Sequence, residues 1–351
     1  MTSYNRRDFI FMAGTWLVAS STMGGSMKSA SSVYQARKMI FTAKLDGKLY
    51  FVGINPEIND VVKIPAICGP HSYQNDNGIY YGVEKNGPNL VRIDFRNPRD
   101  VRMIKSPDGI LYYGHSIVYQ DQLYVCGVKV ENTKSDYDIN KFNPNKAPGV
   151  LLIYNKKTLE FVNQLEGFGY GPHELIIHQN EIVMAVSRDA QNKLSALVYL
   201  DLSSLKTIRT QPIDEKYKHL KFRHFMQTKD AFYPVLAAFD PKTDLVTNMA
   251  IGKFRKDQSL EIFDFSNTNE PKSDFDHTTS FVHDDNLHVV LYRVKRMVKL
   301  GKKTELVDFG QSDLSQLKHI SNLVMRGENG FIFKDAQFNK NFEIKSHIYI
   351  S

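Results

Sequence analysis

Three kinds of catalytic signature are missing from this 351-residue sequence. It contains no Gly-x-Ser-x-Gly elbow, no phosphate-binding glycine loop and no Cys-x-x-Cys pair. These motifs expose a nucleophilic serine, cradle the phosphates of a nucleotide and carry a redox dithiol, respectively. The sequence therefore gives no motif for serine-hydrolase, nucleotide-binding or dithiol chemistry, and it names no catalytic residue.

Cysteine and excess charge are also scarce. The chain has only Cys68 and Cys126, which could form one disulfide in an oxidising compartment or remain as two buried thiols. The formal net charge is +7, and about +5 without the first thirty residues. So mild an excess gives weak support for an anionic partner, and we expect no nucleic-acid partner.

Long apolar runs are missing as well. The mildly apolar stretch 11–19 follows Arg6-Arg7, precedes small residues at 26–30, and is too short to span a bilayer comfortably. This order resembles a twin-arginine export signal, with an ordinary Sec signal or an uncleaved anchor as alternatives. We expect residues 1–30 to be a signal peptide and residues 31–351 to be one soluble periplasmic domain without a membrane span.

What the sequence does contain is short strands. Aromatic residues make up 12% of the chain, and from residue 36 onward apolar runs of four to seven residues alternate with turns rich in Asp, Asn, Gly and Lys. Runs of this length that are rich in Val, Ile, Tyr and Phe are typical of β-strands. No convincing long amphipathic helix is present, so the fold class we predict is all-β.

Histidines recur at the start of a repeating unit. Each of six precedes a short run, a polar turn and an apolar strand, at spacings of 44, 58, 51, 53 and 42 residues: His71, His115, His173, His224, His277 and His319. The apolar strands begin near Ile79, Leu123, Ile182, Phe232, Leu287 and Phe331. Four strands per unit of 40–50 residues indicate a β-propeller of the WD40/YVTN-repeat kind. We predict seven blades, with six as the alternative, and N-terminal strands that close the ring with the C-terminal segment.

The most distinctive unit is Gly167-Phe168-Gly169-Tyr170-Gly171-Pro172-His173-Glu174-Leu175. Three glycines and a proline predict a turn here, with the following strand beginning at Ile176. Because the inner strands of a propeller all run the same way along the central channel, residues at their starts lie at one mouth of that channel. We therefore expect the repeated histidines to converge.

Converging neutral imidazoles suit a transition metal. The predicted ligands are His71, His115, His173 and His224, with His277 and His319 as additions and iron or copper as the metal. Glu174 is a candidate oxygen ligand or ligand partner, although strand alternation points it away from His173. Arg223 could bind a carboxylate or phosphate, or pair with a structural aspartate. The alternative is that the histidines cap blade hairpins by bonding to the neighbouring backbone.

Several of these residues resemble an exported bacterial family, the domain of unknown function 1513 family. The resemblance runs from the twin-arginine segment to about Phe225 and is strongest at residues 169–175. Three further parts of the chain also match the family: Tyr113-Gly114-His115 with Glu131-Asn132, Gly69-Pro70-His71, and Arg223-His224. The chain departs from the family at Ser187-Arg188-Asp189, where a glycine pair is usual, and at His277 and His319.

That resemblance implies a propeller-like exported protein of uncharacterised function. Members tend to be encoded near iron-uptake components, such as imelysin-like proteins and haem-containing oxidoreductases, so it implies partners of that kind by association. The leading hypothesis is a periplasmic propeller that binds a metal, or a metal-carrying ligand, in iron or copper acquisition. The alternatives are a metal-free protein-interaction scaffold and an enzyme, hydrolase or oxidoreductase, acting at the same channel mouth.

Overall fold

The structure is a computed structural model of the chain. It describes residues 39–45, 47–55, 60–130, 143–191, 193–227, 232–239, 246–254, 260–264, 278–283, 286–291, 296–300, 304–308, 325–327, 330–332, 343–344 and 349–350. The predicted signal peptide at 1–30 lies outside these ranges, as do His277, His319, Glu131 and Asn132.

Most of the described residues lie in β-strands, which confirms the predicted all-β class. The strands are β1 (Met39–Leu45), β2 (Lys48–Asn55), β3 (Asp60–Pro65), β4 (Ser72–Asp76), β5 (Ile79–Val83), β6 (Lys85–Gly87), β7 (Asn89–Asp94), β8 (Val101–Lys105), β9 (Ile110–Tyr119), β10 (Gln122–Lys129), β11 (Pro148–Asn155), β12 (Phe161–His178), β13 (Glu181–Arg188), β14 (Ala196–Asp201), β15 (Thr207–Pro212), β16 (Leu220–Gln227), β17 (Phe232–Phe239), β18 (Val246–Phe254), β19 (Leu260–Asp264), β20 (Thr278–His283), β21 (Asn286–Leu291), β22 (Arg296–Leu300), β23 (Thr304–Asp308), β24 (Met325–Gly327), β25 (Gly330–Ile332), β26 (Glu343–Ile344) and β27 (Tyr349–Ile350). Two 3₁₀ turns, Pro144–Lys146 and Glu215–Tyr217, are the helical elements described. Neither is long or apolar enough to cross a bilayer.

The strands form antiparallel meanders. Three sheets have four strands each, in the orders β4-β5-β7-β8, β16-β17-β18-β19 and β20-β21-β22-β23. All six hairpins expected from the histidine repeat form, and the second strand of each begins within one residue of its predicted start. The sequence register therefore located these hairpins correctly.

An eight-stranded sheet, in the order β15-β14-β13-β12-β11-β10-β9-β6, joins two further meanders through one long strand. The first part of β12, Phe161 to Glu166, pairs with β11, and its last part, Pro172 to His178, pairs with β13. At the changeover Tyr170 has a partner on both sides, Pro148 and Arg188. The strand thus ends one four-stranded unit and begins the next.

The turn predicted at Gly167 to Pro172 is therefore wrong, since this stretch lies inside β12. Its glycines do adopt the left-handed conformation expected of turns, with φ of 81° at Gly167, 143° at Gly169 and 52° at Gly171. The backbone nevertheless stays paired, because the Gly171 N–H donates to the Ala147 carbonyl. The glycines bend a continuous strand where it passes between partners.

Successive four-stranded units pack face to face. Alternate residues of β13 enter two different cores: Ile182, Met184 and Val186 pack with β10, β11 and β14 on one side, whereas Val183 and Ala185 pack with β16 and β17 on the other. Because both faces of such a strand are covered, its sequence is a continuous apolar run rather than an alternating one.

Strands near the two ends of the chain pair with each other. β1 pairs with β26 through Ala43 and Ile344, and with β27 through Met39 and Ile350. The first sheet has the order β26-β1-β2-β3, with β27 also on β1, so it draws on both ends of the chain.

The two cysteines lie in separate cores and are free thiols. Cys68 is 7% exposed and Cys126 is fully buried. Burial raises the pKa of the Cys68 thiol to about 12, helped by the Glu84 carboxylate, and it also raises the pKa of Cys126. Of the two alternatives left open by the sequence, the structure has the buried thiols.

Candidate metal centre

The first strands of four successive units bring four histidines together. His71 directly precedes β4, and His115, His173 and His224 lie within β9, β12 and β16. The ring centroid of His173 lies 4.9 Å from that of His115 and 4.7 Å from that of His224. His71 lies 5.3 Å from His115 and 6.2 Å from His173, and His115 lies 5.1 Å from His224. The predicted convergence of these four residues is present in the structure.

Three of these strands are irregular at the histidine. Between its pairs Pro172–Val186 and Leu175–Met184, β12 has two residues facing one residue of β13. The register of β9 on β10 slips beside His115, and that of β16 on β17 slips at Arg223. A β-bulge interrupts alternation and re-aims the side chains next to it. The bulges thus turn consecutive residues toward one place.

Glu174 shows the effect of its bulge. Regular alternation would direct Glu174 away from His173 and its cluster, but its Oε2 lies 3.0 Å from Nδ1 of His224 and its Oε1 lies 3.6 Å from Nδ1 of His115. Oε2 also accepts a hydrogen bond of 2.8 Å from the Phe225 backbone N–H. The expectation from alternation was wrong because His173 and Glu174 share the bulge.

The pKa of the Glu174 carboxylate is subject to opposing influences. Burial raises its pKa above the ordinary value, whereas the nearby His115, the Phe225 N–H and the Arg223 charge act to lower it. The side chain keeps 20% of its surface exposed. Glu174 links three strands, since it lies on β12 and contacts residues of β9 and β16.

His173 is the most unusual member of the cluster. Its side chain is completely buried, and neither ring nitrogen has a hydrogen-bond partner among the described residues. Burial lowers its pKa well below the ordinary value, and the nearby Arg223, His224, Lys85 and His115 lower it further. His173 is therefore a neutral imidazole at physiological pH, with a lone pair available to a ligand.

The donor atoms are close enough to share an ion. Two triplets, His71–His115–His173 and His115–Glu174–His224, each have their ligand atoms within 4.8 Å of one another. With Zn–N bonds of about 2.0–2.1 Å, tetrahedral ligands lie roughly 3.4 Å apart. Small side-chain movements would therefore close either triplet on a metal ion, and His115 belongs to both.

Tyr113, which packs beside His173, belongs to a polar network that sequence reasoning did not assign to the site. The Tyr113 ring lies 5.3 Å from His173 by centroid, and its hydroxyl donates to Oδ1 of Asn145 at 3.1 Å. The Ser187 hydroxyl donates to the same oxygen at 2.7 Å. Tyr113 lies two residues before His115 and could have been suspected. Asn145, in the loop between β10 and β11, has no sequence signal.

Gly114 gives His71 its place. This glycine has φ of 97°, and a Cβ added to it would lie 2.7 Å from Cδ2 of His71 and 3.4 Å from Cβ of Lys85. The Ser72 hydroxyl donates to the Gly114 carbonyl, which fixes the chain next to His71. His71 can occupy its position only because residue 114 has no side chain.

We expect Gly114→Ala to weaken metal binding by roughly 10- to 100-fold, because the new methyl group displaces His71. Isothermal titration with zinc would measure the loss. Gly167→Ala is the matched control, since Gly167 has φ of 81° and nothing within 4 Å of its added Cβ. It shares the left-handed strain without the collision, so equal losses of affinity in both variants would contradict this role for Gly114.

Arg223 also lies at the cluster. It directly precedes His224, is 5% exposed, and acts electrostatically on both His173 and Glu174. The structure therefore places the two predicted ligand-binding residues, Arg223 and Glu174, beside the four predicted metal ligands. The two additional candidates, His277 and His319, lie outside the described residues.

Comparison with known proteins identifies a fold but no family. No family model matches the chain, and no curated protein matches it. Among solved structures, a chain of Kuenenia stuttgartiensis hydrazine synthase aligns with 90% of this chain and 89% of its own, with a TM-score of 0.52 and 12% identity. A hypothetical selenium-binding protein from Sulfolobus tokodaii aligns with 80% of this chain and 77% of its own, with a TM-score of 0.51 and 12% identity. At such identities the likeness shows the fold alone, which is β-propeller-like.

Proposed function

We propose that this protein is a β-propeller that binds a transition metal at His71, His115, His173 and His224. The observation that carries the proposal is His173, which is fully buried and neutral with both ring nitrogens lacking a hydrogen-bond partner among the described residues. A buried polar group in that state is costly unless something else satisfies it. A metal ion held with the neighbouring imidazoles would satisfy one of the two nitrogens, the one that carries the lone pair.

The architecture we propose has seven blades. Supporting it are the three separate meanders, the two units joined by β12, the sheet that combines β1 with β26 and β27, and the hairpin β24-β25 as the start of one more unit. Pairing between strands from the two ends of the chain is the usual way to close such a ring. The four histidines would then stand at one mouth of the channel.

The donor set favours a transition metal of borderline softness. Imidazole nitrogens suit zinc, copper, iron and nickel, and a carboxylate beside them is compatible with each. Thiolate ligation is not part of the proposal, because Cys126 packs in an apolar core and its thiol is kept protonated by burial. Among divalent ions, copper binds such sites most tightly by the general affinity order.

Glu174 would act chiefly by orienting ligands. A metal-binding histidine commonly donates its second ring N–H to a carboxylate, which fixes the tautomer and the ring direction. The contacts of Glu174 with Nδ1 of both His115 and His224 fit this arrangement. Each of these rings would then present Nε2 to the ion, so one carboxylate would set two ligands.

The cellular role we propose is iron or copper acquisition in the periplasm after twin-arginine export, with iron-uptake proteins as partners. Support for this role comes from the Arg6-Arg7 segment and from the family resemblance described above. The metal centre and the cellular role are separable, and only the first depends on the geometry of the histidines.

Elemental analysis tests the metal centre. Protein purified without chelator from the compartment in which it is made is expected to contain about one transition-metal ion per chain, lost on dialysis against a strong chelator and regained on adding iron, copper or zinc. The His178→Ala variant should contain as much metal as the unaltered protein, because His178 lies on β12 but outside the cluster. If neither purified nor reloaded protein holds stoichiometric metal, the proposal of a metal centre fails.

A further inference from the structure

His71 differs from the other three histidines in where it lies on the chain. It comes just before β4, and its backbone N–H donates to the Val83 carbonyl at 2.7 Å. The two residues before it, Gly69 and Pro70, belong to no strand. The other three histidines are held within strands of eight or more residues. The segment before His71 therefore takes its position from contacts with other parts of the chain.

The Glu84 carboxylate holds this segment. Glu84 directly follows β5, and its Oε1 accepts a hydrogen bond of 3.2 Å from the Gly69 backbone N–H. Its Oε2 accepts from the Asn89 backbone N–H at 3.0 Å and from the Asn89 side-chain amide at 2.8 Å. Hydrogen bonds to an ionised acceptor are stronger than those between neutral groups. One carboxylate thus ties the approach to His71 to the first residue of β7.

The same residue closes a short strap, residues 84–89, that reaches β9. The Glu84 N–H donates to the Asn89 carbonyl at 3.1 Å, so the two residues join the ends of the strap. Between them, β6 pairs with β9 at the residue before Gly114. Gly114 is the glycine against which the His71 ring lies. Glu84 therefore connects the backbone that leads to His71 with the strand that borders its ring.

Gly87 leaves the space that the carboxylate occupies. A Cβ added to Gly87 would collide with Oε2 of Glu84 and lie 3.0 Å from its Cδ. The three atoms nearest to that Cβ all belong to Glu84. The lack of a side chain at residue 87 therefore serves the carboxylate, and the strap is shaped around it.

We propose that Glu84 is a positioning residue of the metal centre, which holds the segment before His71 so that the imidazole reaches the ion. This inference rests on the proposed metal centre and extends it to a residue that acts through the backbone. Glutamine cannot replace Glu84, because an amide has one acceptor oxygen where a carboxylate has two. The amide oxygen would stay with the two Asn89 donors, and the amide NH₂ would then face the Gly69 N–H.

Two variants remove the contact in different ways. In Glu84→Gln, zinc affinity measured by isothermal titration should fall about tenfold, the lower end of the loss seen when groups that support metal ligands are removed. Gly87→Ala should cause a similar loss, because its methyl group displaces the carboxylate without changing the charge. In both metal-free variants the Gly69 amide should exchange faster with solvent than in the wild type, as measured by nuclear magnetic resonance.

Cobalt absorption distinguishes positioning from a general loss of stability. Cobalt-loaded Glu84→Gln should have an altered visible spectrum, because the spectrum depends on the number and geometry of the ligands. A variant that is only less stable would give the wild-type spectrum once it is folded and loaded.

Glu181→Gln is the matched control. Glu181 is also half-buried, and both of its oxygens accept hydrogen bonds, at 2.8 and 3.0 Å from Arg209. It pairs with His178, outside the cluster. Its zinc affinity and cobalt spectrum should therefore be those of the wild type.

The outcomes separate the two proposals. Wild-type protein that takes up no zinc overturns the metal centre and the role of Glu84 with it. Wild-type protein that binds zinc, with the same affinity and cobalt spectrum in Glu84→Gln and Gly87→Ala, overturns the role of Glu84 alone. Faster exchange of the Gly69 amide without any loss of zinc affinity also overturns it, since Glu84 would then hold the segment without positioning the ligand.

Discussion

Replacing His173 with leucine is expected to abolish stoichiometric metal binding and to leave the metal-free protein as stable as the wild type or more so. His173 is fully buried with two nitrogens that lack hydrogen-bond partners among the described residues. Leaving a buried polar group unsatisfied costs about 1–3 kcal/mol. Leucine is apolar and similar in volume, so it removes that cost from the metal-free state.

Bound metal should reverse the order of stability of the wild type and His173→Leu. A ligand that binds only the folded state adds about 4 kcal/mol when it is present at a thousand times its dissociation constant. Saturating zinc should therefore stabilise the wild type strongly and leave His173→Leu unchanged. Urea unfolding of both proteins, with and without zinc, measures all four free energies. A metal-free variant that is clearly less stable than the wild type would support the alternative in which the histidines cap blade hairpins.

Acid provides a second readout of the same substitution. The pKa of His173 in the folded protein lies well below its ordinary value of 6.5, so the unfolded chain binds the extra proton more readily. The stability contributed by the neutral ring is complete above about pH 6.5 and is lost as the pH falls below it. The metal-free wild type should accordingly lose more stability than His173→Leu between pH 6.5 and pH 5.

Glu174→Gln is expected to weaken zinc binding by about 10- to 100-fold, the usual loss when a carboxylate that orients a ligating histidine is removed. The amide is similar in shape and can still accept from the Phe225 N–H, so the fold should persist. What is lost is the charge that favours an N–H at Nδ1 of His115 and of His224. Competition titration against a chelating dye would give the affinities.

Glu166→Gln is the matched control for this substitution. Glu166 lies on the same strand, β12, but pairs with Lys129 near the surface, where its side chain is 39% exposed. An exposed ion pair of this kind contributes little, so zinc affinity should be unaffected. Wild-type affinity in Glu174→Gln would show that the carboxylate neither binds the metal nor orients its ligands.

The sequence was sufficient to find the four histidines because their signal is a repeat. Each of them stands a nearly constant distance before an apolar strand, and equivalent positions in equivalent strands converge whatever the details of each unit. The same regularity located the hairpins. Reasoning from period and register succeeds where every unit obeys one rule.

The parts that could not be predicted are departures from that rule. A bulge is one extra residue in one strand, and nothing in the letters around Glu174 distinguishes it from regular alternation. The prediction of a turn at Gly167 to Pro172 was wrong for a related reason. Local φ preference indicated a turn, whereas backbone pairing with strands on both sides kept β12 continuous. Asn145 was missed because its partners are 32 and 42 residues away.

The long strand β12 also determines which parts of the protein unfold together. Its 18 residues belong to two four-stranded units, and His173 and Glu174 lie just beyond the changeover. Because β12 is the last strand of one unit and the first strand of the other, unfolding of either unit disturbs both. The two units should therefore exchange their backbone amide hydrogens with solvent as one cooperative unit. An ion bound at His173 would slow that exchange on both sides of the changeover, including in backbone amides far from any ligand.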